Sequence, residues 1–216
     1  MAEINLLDRY PRAQRNLEER AQVSEANRKV AKQFGPEFFD GQRDQGYGGY
    51  KYDGRWVAIA KRFQQHYGLA DNAAILDIGC GKGFLVHDFK LVMPNCRIAG
   101  LDISSYAIEN AMPDIKPLLT VANCKSLPYA DKSFDLVIAI NTVHNLPYDE
   151  CRQALSEIQR VSRGHAFVVV DAYKNDEEKE RMFKWNLTAE TILHADDWQK
   201  LFAQAGYTGD YFWFTP

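Results

Sequence analysis

The stretch ILDIGCGKGF, residues 75–84, constrains the fold more than any other part of this chain. A short apolar strand leads into three glycines at alternate positions, Gly79, Gly81 and Gly83, and a helix-forming run follows. Glycines at this spacing let the backbone approach a ligand closely, and they leave the N–H groups of a helix N-terminus pointing at it. In an α/β sheet such a ligand lies at the carboxyl ends of the strands. The stretch therefore predicts a strand–turn–helix unit that binds a ligand through its main chain.

From Ala74 onward the sequence alternates short apolar runs with helical segments. Strands are predicted for residues 74–78, 97–102, 118–122, 135–140 and 166–170, with a last strand within residues 207–216. Helices are predicted between them, for residues 84–93, 105–112, 149–162 and 196–206. Strands that are apolar on both faces indicate a parallel sheet with helices on each side. The sequence thus predicts an α/β fold with a doubly wound, mostly parallel sheet.

The segment that precedes this alternation is more polar. Residues 12–34 form a helix-prone run that is expected to stop at Gly35-Pro36. A second helix is predicted after Asp53, which can cap it, and Gly68 suits its C-terminus. The upstream segment is therefore expected to be a helical extension of the α/β core.

Two acidic residues narrow the choice of ligand. Asp77 lies at the end of the first strand, just before the glycines, and Asp102 ends the next strand. A carboxylate in the second position can accept both hydroxyls of a ribose, which indicates a nucleoside-containing cofactor. The dinucleotide fingerprint requires a glycine where this chain has Phe84. Asp77 also suits an ammonium group better than a pyrophosphate, so a nicotinamide-dependent oxidoreductase is a rival interpretation that lacks its third glycine.

At these residues the chain resembles the class I S-adenosylmethionine (SAM)-dependent methyltransferases. The motif LDIGCGKG, Asp102 and the segment CKSLPYADKSFDLVIAINTVHNLP (124–147) carry the resemblance, which is closest to the small-molecule, "type 11" members. It covers roughly residues 73–205 and implies a Rossmann-like methyltransferase fold. The whole chain, including GYGGYKYDGRW (46–56) and the WNLTAETILH stretch, also resembles a bacterial subgroup encoded among surface-polysaccharide genes.

The resemblance implies a SAM site, and its first half lies in the glycine motif. Asp77 would lie near the methionine amine of SAM. Gly79, Cys80 and Gly81 would form the wall beside the methionine, with Gly83 opening the following helix. Cys80 is expected to be a small wall residue, because no cysteine here has the Pro-Cys context of cytosine methyltransferases.

The second half of the implied site follows the next three strands. Asp102 would hold the ribose, and Ile103 would pack on the adenine. Asn123 stands where the family usually has an aspartate that accepts from the adenine amino group, a role that an asparagine oxygen can also fill. Cys124 would offer its backbone N–H to the ring, and Asn141 would lie under the sulfonium.

The stretch GYGGYKYDGRW is interpreted as a lid over this site. Its glycines supply hinges, and its aromatic side chains, Tyr50 among them, supply rigid faces that exclude water and contact the cofactor. Arg55 could clamp the cofactor carboxylate or an acidic substrate. The alternative is a loop packed on the outside of the sheet. We expect one methyltransferase domain over residues 1–216, with the extension and lid in residues 1–70 and the SAM-binding core in residues 71–216.

Catalytic candidates follow the fourth and fifth strands. His144 is the best candidate for a general base at the mouth of the pocket, with packing or helix capping as the alternative. Asp171 is a second candidate base or substrate anchor. His165 is expected to be structural, whereas His194 could line the pocket or cap a helix. Asn141 and Asp171 offer too few oxygens for a metal ion, so no metal site is predicted.

Composition excludes other classes of function. The formal net charge of -3 argues against a wide nucleic-acid-binding surface. The longest apolar run, LVIAI (136–140), is far too short to span a membrane, and the charged N-terminal sequence contains no secretory signal. The cysteines lack CxxC spacing and are expected to be free thiols in a cytoplasmic protein.

The sequence therefore predicts a SAM-dependent enzyme that methylates an oxygen or nitrogen of a small molecule, with a sugar or sugar nucleotide as the first expectation. The rival from another class is a SAM-binding module or sensor that transfers no methyl group. The family sheet usually closes with two strands after the last helix, and this chain has only one candidate, within residues 207–216. That strand is expected at the sheet edge, where a second copy of the chain could cover it in a homodimer.

Overall fold

The computed structural model describes residues 1–11 and 15–216. Its strands are β1 (Ala74–Ile78), β2 (Arg97–Asp102), β3 (Leu119–Val121), β4 (Phe134–Ile140), β5 (Ser162–Tyr173), β6 (Leu193–His194) and β7 (Asp210–Phe214). Its helices are α1 (Leu17–Ala21), α2 (Glu25–Ala31), α3 (Pro36–Asp40), α4 (Val57–Tyr67), α5 (Phe84–Val92), α6 (Ser105–Glu109), α7 (Tyr148–Val161), α8 (Asp176–Trp185) and α9 (Ala195–Gln204). Short 3-10 turns occupy Lys116–Leu118 and Val143–Asn145.

The seven strands form one sheet, and every strand pair in the described part of the chain is parallel. The order is β3-β2-β1-β4-β5, with β7 beside β5 and the two-residue β6 paired to the end of β5. The order reverses direction between β1 and β4, so their carboxyl ends form the crevice where doubly wound sheets bind ligands. The predicted α/β class is confirmed, and β1 and β2 span the predicted residues.

Helices cover the two faces of the sheet with separate apolar clusters. On one face, α4 and α5 contribute Phe63 and Phe89, which pack on residues of β1, β4 and β5. On the other face, α7 and α9 contribute Leu155 and Trp198 to a second cluster. Because both faces are buried, the strands need apolar residues at consecutive positions, as in LVIAI.

The edge beside β7 is covered by the chain itself rather than left open. The Ile4 N–H donates to the Tyr211 carbonyl at 2.8 Å, and the Tyr211 N–H donates to the Ala2 carbonyl at 3.0 Å. These bonds extend the parallel pairing by one bridge, between Glu3 and Tyr211. The expectation of a strand at the sheet edge is met, with residues 2–4 as its neighbour; a homodimer stays a prediction.

Two predictions in the N-terminal segment are wrong in detail. The run 12–34 is not one helix: α1 and α2 are separate, and Ser24 caps α2 by accepting from the Asn27 N–H at 3.1 Å. The part of that prediction on residues 12–14 lies outside the described residues. Asp53 does not cap α4, because its carboxylate accepts from Arg55 Nε at 2.8 Å and the helix begins after Trp56.

Candidate functional site

A cavity of about 280 Å³ lies at the carboxyl ends of β1, β2 and β4. Eight of the predicted cofactor residues line it: Tyr50, Gly79, Gly81, Asp102, Ile103, Asn123, Cys124 and Asn141. Among the described residues, the other three stay out of its lining: Asp77, Cys80 and Gly83. Most of the predicted residues thus line the cavity, and the structure separates residues that face the cavity from residues that lie beside it.

The glycine turn supplies the floor of the cavity. Gly79 and Gly81 have φ angles of 73° and 54°, in the left-handed region that favours glycine. A Cβ on Gly79 would collide with the Thr142 side chain, and a Cβ on Gly81 would lie 3.3 Å from Tyr50 Cε1. Gly83 has a different role, since a Cβ there would lie 2.5 Å from Ile115 Cδ1. The first two glycines thus keep backbone open beside the cavity, and the third allows α5 to pack.

Asp102 ends β2 and holds the glycine turn from the side. Its Oδ2 accepts from the Gly81 N–H at 2.8 Å, and its Oδ1 accepts from the Ser104 N–H at 2.8 Å. Burial raises the pKa of this carboxyl, and the backbone amides act in the opposite direction. Each carboxylate oxygen can accept more than one hydrogen bond. Asp102 can therefore order the turn and still receive hydroxyl groups from a ligand.

Asp77 directly precedes Ile78 and Gly79, which line the cavity. Only 4% of its surface is exposed, and within the described residues burial and the Asp102 charge act on its carboxylate, with no hydrogen bond to offset them. Burial first, and the nearby Asp102 carboxylate second, raise the pKa of Asp77 to about 7. A buried carboxylate without a donor is costly to ionise, and a cation close by would reduce that cost.

The opposite wall follows β2, β3 and β4. Ile103 leaves 55% of its surface exposed, so an apolar face is open to a flat ring. Asn123 lines the cavity, and its Oδ1 accepts from the Lys125 N–H at 3.0 Å. Asn141 has a φ angle of 53°, which is uncommon for a residue with a side chain. Its carbonyl accepts from Asn145 Nδ2 at 3.1 Å, which helps to hold that conformation.

Aromatic side chains from the N-terminal segment form a roof over the glycine turn. The Tyr50 ring stacks on Phe84 with centroids 4.6 Å apart and lies 4.4 Å from the Tyr47 ring. Phe38 and Phe39 of α3 pack against Tyr47 and also line the cavity. We call these four residues, Phe38, Phe39, Tyr47 and Tyr50, the aromatic roof.

The second half of GYGGYKYDGRW does not reach the cavity. Tyr52 donates to Asp88 Oδ1 of α5 at 2.6 Å, and the Trp56 ring packs 4.6 Å from Tyr10. Arg55, expected to clamp a cofactor carboxylate, is bound to Asp53 and Tyr10 instead. The stretch thus divides into a half over the cavity and a half packed on the N-terminal segment and α5.

His144 and Asp171 come together, but neither lines the cavity in the part of the chain that the structure describes. Both are buried, and the backbone N–H of Asp171 donates to His144 Nδ1 at 2.8 Å. Burial lowers the pKa of His144, although the Asp171 carboxylate raises it in part. An imidazole that accepts at Nδ1 is neutral, with its proton on Nε2. The structure therefore shows packing contacts for His144, and a catalytic role stays a prediction.

The two other histidines weighed in the sequence analysis, His165 and His194, also have local partners. His165 stacks on Tyr67 with centroids 4.9 Å apart, at the amino end of the sheet. His194 caps α9, because its Nδ1 accepts from the Asp196 N–H at 3.2 Å. A larger, more open cleft of about 390 Å³ lies beside His165 and Arg163. It is at the opposite end of the sheet from the glycine turn, so we do not consider it the site of the predicted chemistry.

The sequence profile of the family described as "Methyltransferase domain" matches residues 69–206. The chain belongs to the methyltransferase domain family. The resemblance drawn from the glycine motif is thereby confirmed at the level of the family, and the subgroup encoded among polysaccharide genes is not.

Two named methyltransferases are similar to parts of this chain. The malonyl-[acyl-carrier protein] O-methyltransferase of Hahella chejuensis is 36% identical over 92 residues, which are 41% of this chain and 32% of that protein. The 27-O-demethylrifamycin SV methyltransferase of Amycolatopsis mediterranei is 26% identical over 145 residues, which are 61% of this chain and 53% of that protein. This chain thus spans about a third to a half of the length of these relatives.

Among solved structures, the YcgJ protein of Bacillus subtilis has a similar fold. Its TM-score is 0.56 at 21% sequence identity, over 68% of this chain and 66% of that chain. At that identity the likeness supports the methyltransferase fold alone.

Two further observations concern residues 1–11 and 15–216. No helix there is long and apolar enough to cross a membrane, and no three His, Cys, Asp or Glu side chains are grouped to hold a metal ion.

Sequence reasoning missed the contribution of α3 and of the end of α2 to the cavity. Lys32, Gln33 and Phe34 line it together with Phe38 and Phe39. The only signal for them is the run FGPEFF, in which three phenylalanines surround Gly-Pro within an otherwise polar segment. Apolar residues in such a segment need something to pack against, and here Phe39 lies beside Gly81 while Phe34 and Phe38 pack on each other.

Proposed function

We propose that this chain transfers a methyl group from SAM to an oxygen or nitrogen of a small molecule. The observation that carries the proposal is the cavity in which Asp102 and an open glycine turn face the exposed Ile103, beneath the aromatic roof. Membership of the methyltransferase domain family supports the same activity.

The residues present fit SAM. The carboxylate of Asp102 suits the ribose hydroxyls, and Ile103 offers an apolar face to the adenine. The turn at Gly79 and Gly81 leaves room for the methionine, whose ammonium group would favour ionisation of the buried Asp77. Each of these roles is part of the proposal.

SAM, when bound, supplies a methyl group on a sulfonium; the group passes to an acceptor lone pair, and the electrons of the broken C–S bond remain on sulfur. The residues of the chain align the two reactants and keep water away. Tyr47 and Tyr50 would cover the methionine side of the cavity, and Asn141 would lie at the end where the methyl group is transferred. Because His144 and Asp171 lie outside the lining, their role as bases for an acceptor hydroxyl stays a prediction.

The acceptor is a separate part of the proposal. A sugar or sugar nucleotide is the first expectation, and its support is the resemblance of the whole chain to the polysaccharide-associated subgroup. The two relatives described above are named for different acceptors, a malonyl-[acyl-carrier protein] and a rifamycin. An acceptor therefore does not transfer from them to this chain. Cytoplasmic location likewise stays a prediction.

Calorimetric titration tests the cofactor, and a single-turnover assay tests the transfer. We expect SAM and S-adenosylhomocysteine to bind and NADH not to bind. Methyl-labelled SAM incubated with a panel of sugars, sugar nucleotides, amines and phenols should label at least one acceptor. Binding without labelling of any acceptor would favour the SAM-binding module, whereas binding of NADH without SAM would overturn the proposal.

A further inference from the structure

The side chain of Lys82, in the glycine turn, contacts the N-terminal segment. Lys82 lies between Gly81 and Gly83, only 8% of its surface is exposed, and within the described residues it is not part of the cavity lining. Its Nζ lies 2.8 and 2.6 Å from the two carboxylate oxygens of Asp40, and it donates to the Tyr50 carbonyl at 3.2 Å. The turn is thus bound to the segment that forms the aromatic roof.

Asp40 collects donors from three parts of the molecule. Besides Lys82, the Tyr106 hydroxyl of α6 donates to its Oδ2 at 2.7 Å, and the Tyr50 N–H donates to its Oδ1 at 3.3 Å. Asp40 is the last residue of α3, so it lies between Phe39 and Tyr50 in the chain. One carboxylate therefore joins both ends of the aromatic roof to the glycine turn and to α6.

Lys82 and Asp40 form an ion pair, so the loss of either side chain removes the partner of the other charge. Burial alone would raise the pKa of Asp40, but the bonds from Lys82 and Tyr106 outweigh it and hold the pKa below its ordinary value. Only the Lys82 end of the pair is enclosed, so removing Asp40 would leave a buried ammonium without its partner. Lys82 is the more enclosed member, and no other carboxylate in the described residues lies within 4 Å of its ammonium. The pair therefore stabilises the observed arrangement, in which the roof covers the glycine turn.

We propose that Lys82 is a positioning residue, and that its bridge to Asp40 is the latch that keeps the aromatic roof closed over the cavity. The inference rests on the proposed function in one respect, namely that the cavity exchanges SAM and S-adenosylhomocysteine. Exchange then requires the latch to open, so the fraction of open molecules limits both entry and departure of the ligand. A side chain that merely contacted the ligand would change the dissociation rate and leave association almost unaltered.

Hydrogen exchange of the ligand-free protein tests the latch without any cofactor. The variants are Lys82→Met and Asp40→Asn, with Lys82→Arg as the variant that keeps the charge. The control is Lys200→Met, since Lys200 makes a bridge of 2.7 Å to Asp197 within α9 and joins no second element. We expect amides of residues 34–50 to exchange about tenfold faster in the first two variants. They should exchange at nearly the original rate in Lys82→Arg and Lys200→Met.

Unchanged protection of residues 34–50 in a folded Asp40→Asn variant would overturn the latch. Should Lys82→Met fail to fold, Asp40→Asn decides alone, because Asp40 is the more exposed partner.

Stopped-flow binding of S-adenosylhomocysteine then tests the consequence for exchange. We expect Asp40→Asn and Lys82→Met to raise the association and dissociation rate constants together, each by about tenfold, with the Kd changed by about threefold or less. A rise in the dissociation rate alone would overturn the latch and make Lys82 a ligand contact. If no variant and not even the unaltered chain binds S-adenosylhomocysteine, the proposed function fails, and hydrogen exchange still decides whether the latch exists.

Discussion

Two pairs of buried titratable residues lie at the carboxyl end of the same sheet, and they differ in what they face. Asp77 is the last residue but one of β1 and Asp102 is the last residue of β2, and Asp102 lines the cavity with its carboxylate on the glycine turn. His144 follows β4 and Asp171 lies two residues before the end of β5, and they are bound to each other outside the described cavity lining. All four residues are less than a tenth exposed, so burial does not distinguish the pairs.

The difference lies in the backbone beside each pair. The acid pair borders three glycines whose missing side chains leave space, whereas the histidine pair borders Val143 and β5, where side chains fill it. The acid pair would hold two like charges if both carboxyls were ionised, whereas in the histidine pair the ionised forms of the two groups would attract each other. Two like charges in a buried place require an external cation or proton, and this requirement indicates a ligand more directly than burial does.

The largest effect is expected for Asp102→Ala. The substitution removes a carboxylate that can accept two ribose hydroxyls and that also orders the Gly81 N–H. Binding of SAM and S-adenosylhomocysteine should weaken by about 2–4 kcal/mol, since bonds to a charged group contribute about 1.5–3 kcal/mol each with some compensation by water. Calorimetry measures the loss, with circular dichroism as the control for folding. Unchanged affinity in a folded variant would remove Asp102 from the cofactor site.

Substitution of His144 should act on stability rather than on binding. In His144→Ala the Asp171 N–H loses its acceptor in a buried place, which should lower the free energy of unfolding by about 1–3 kcal/mol. His144→Asn is the matched control, because its Oδ1 can accept near the position of Nδ1. Urea denaturation measures both variants, while turnover of the folded fraction should stay within a fewfold of the original.

The same pair has a pH dependence with a defined sign. The pKa of His144 is lower in the folded state than in the unfolded chain, so the unfolded chain binds the proton more tightly. Its contribution to stability is therefore present above about pH 6.5 and is lost as the pH falls below that value. A fall in turnover of about 10²–10⁴ in stable His144→Ala, with unaltered cofactor affinity, would instead establish the base that the sequence predicts.

In the acid pair, Asp77 should make the affinity for SAM depend on pH. With a pKa of about 7 in the ligand-free protein, this carboxyl must lose its proton to receive the ammonium group of SAM. Affinity should rise by about tenfold from pH 6 to pH 8 and then level off, following the ionised fraction of the carboxyl. Titrations in buffers of different ionisation heat would count the proton released.

Asp77→Asn should make affinity nearly independent of pH across that range. The raised pKa of Asp77 also affects the stability of the ligand-free protein. Because folding raises this pKa, the free energy of unfolding should fall as the pH rises from about 4 to about 7. The Asp77→Asn variant should lose this dependence on pH. A pH-independent affinity in the unaltered chain would mean that the ammonium group lies elsewhere.

The smallest effect is expected for Asp171→Asn. The bond to His144 uses the main-chain N–H of Asp171, and Trp198 Nε1 donates to its carbonyl at 2.9 Å, so both bonds survive the substitution. Burial raises the pKa of the carboxyl, which means that ionisation opposes folding. Stability near pH 8 should change by less than about 1 kcal/mol. A loss of several kcal/mol would show that the carboxylate, not the main chain, holds this pair together.

The sequence predicted the part of the site that depends on backbone and chain order. The apolar runs fixed the ends of β1 and β2, and the left-handed turns at Gly79 and Gly81 need glycine locally. Because strand ends of a parallel sheet share one edge, Asp102 could be placed there without coordinates, whereas the places of Asn123 and Asn141 were implied by the resemblance to the methyltransferases. The same rule put His144 and Asp171 at that edge, but it carries no information on which way a side chain turns.

The roof could not be predicted in the same way, because it depends on contacts between distant segments. The five-residue α3 is too short to be stable alone and is held by Phe39 and by the bridge from Asp40 to Lys82. The sequence predicts one lid over GYGGYKYDGRW. In the structure Tyr50 stacks on Phe84, whereas Tyr52 donates a hydrogen bond to Asp88. Tertiary packing determines which partner each aromatic residue contacts, and the local sequence carries no information about that choice.

The pairing of residues 2–4 with β7 ties together segments that are 208 residues apart. During synthesis the N-terminal residues emerge first and must wait for their partner, since β7 is made after every other strand of the sheet. Closing so long a loop is slow compared with local pairing. In a growing chain, β5 therefore has an unpaired edge until the last helix and β7 have been added. Over that interval the exposed strand is open to pairing with another nascent copy, so we expect the yield of correctly folded protein to depend on how fast residues 174–209 are translated.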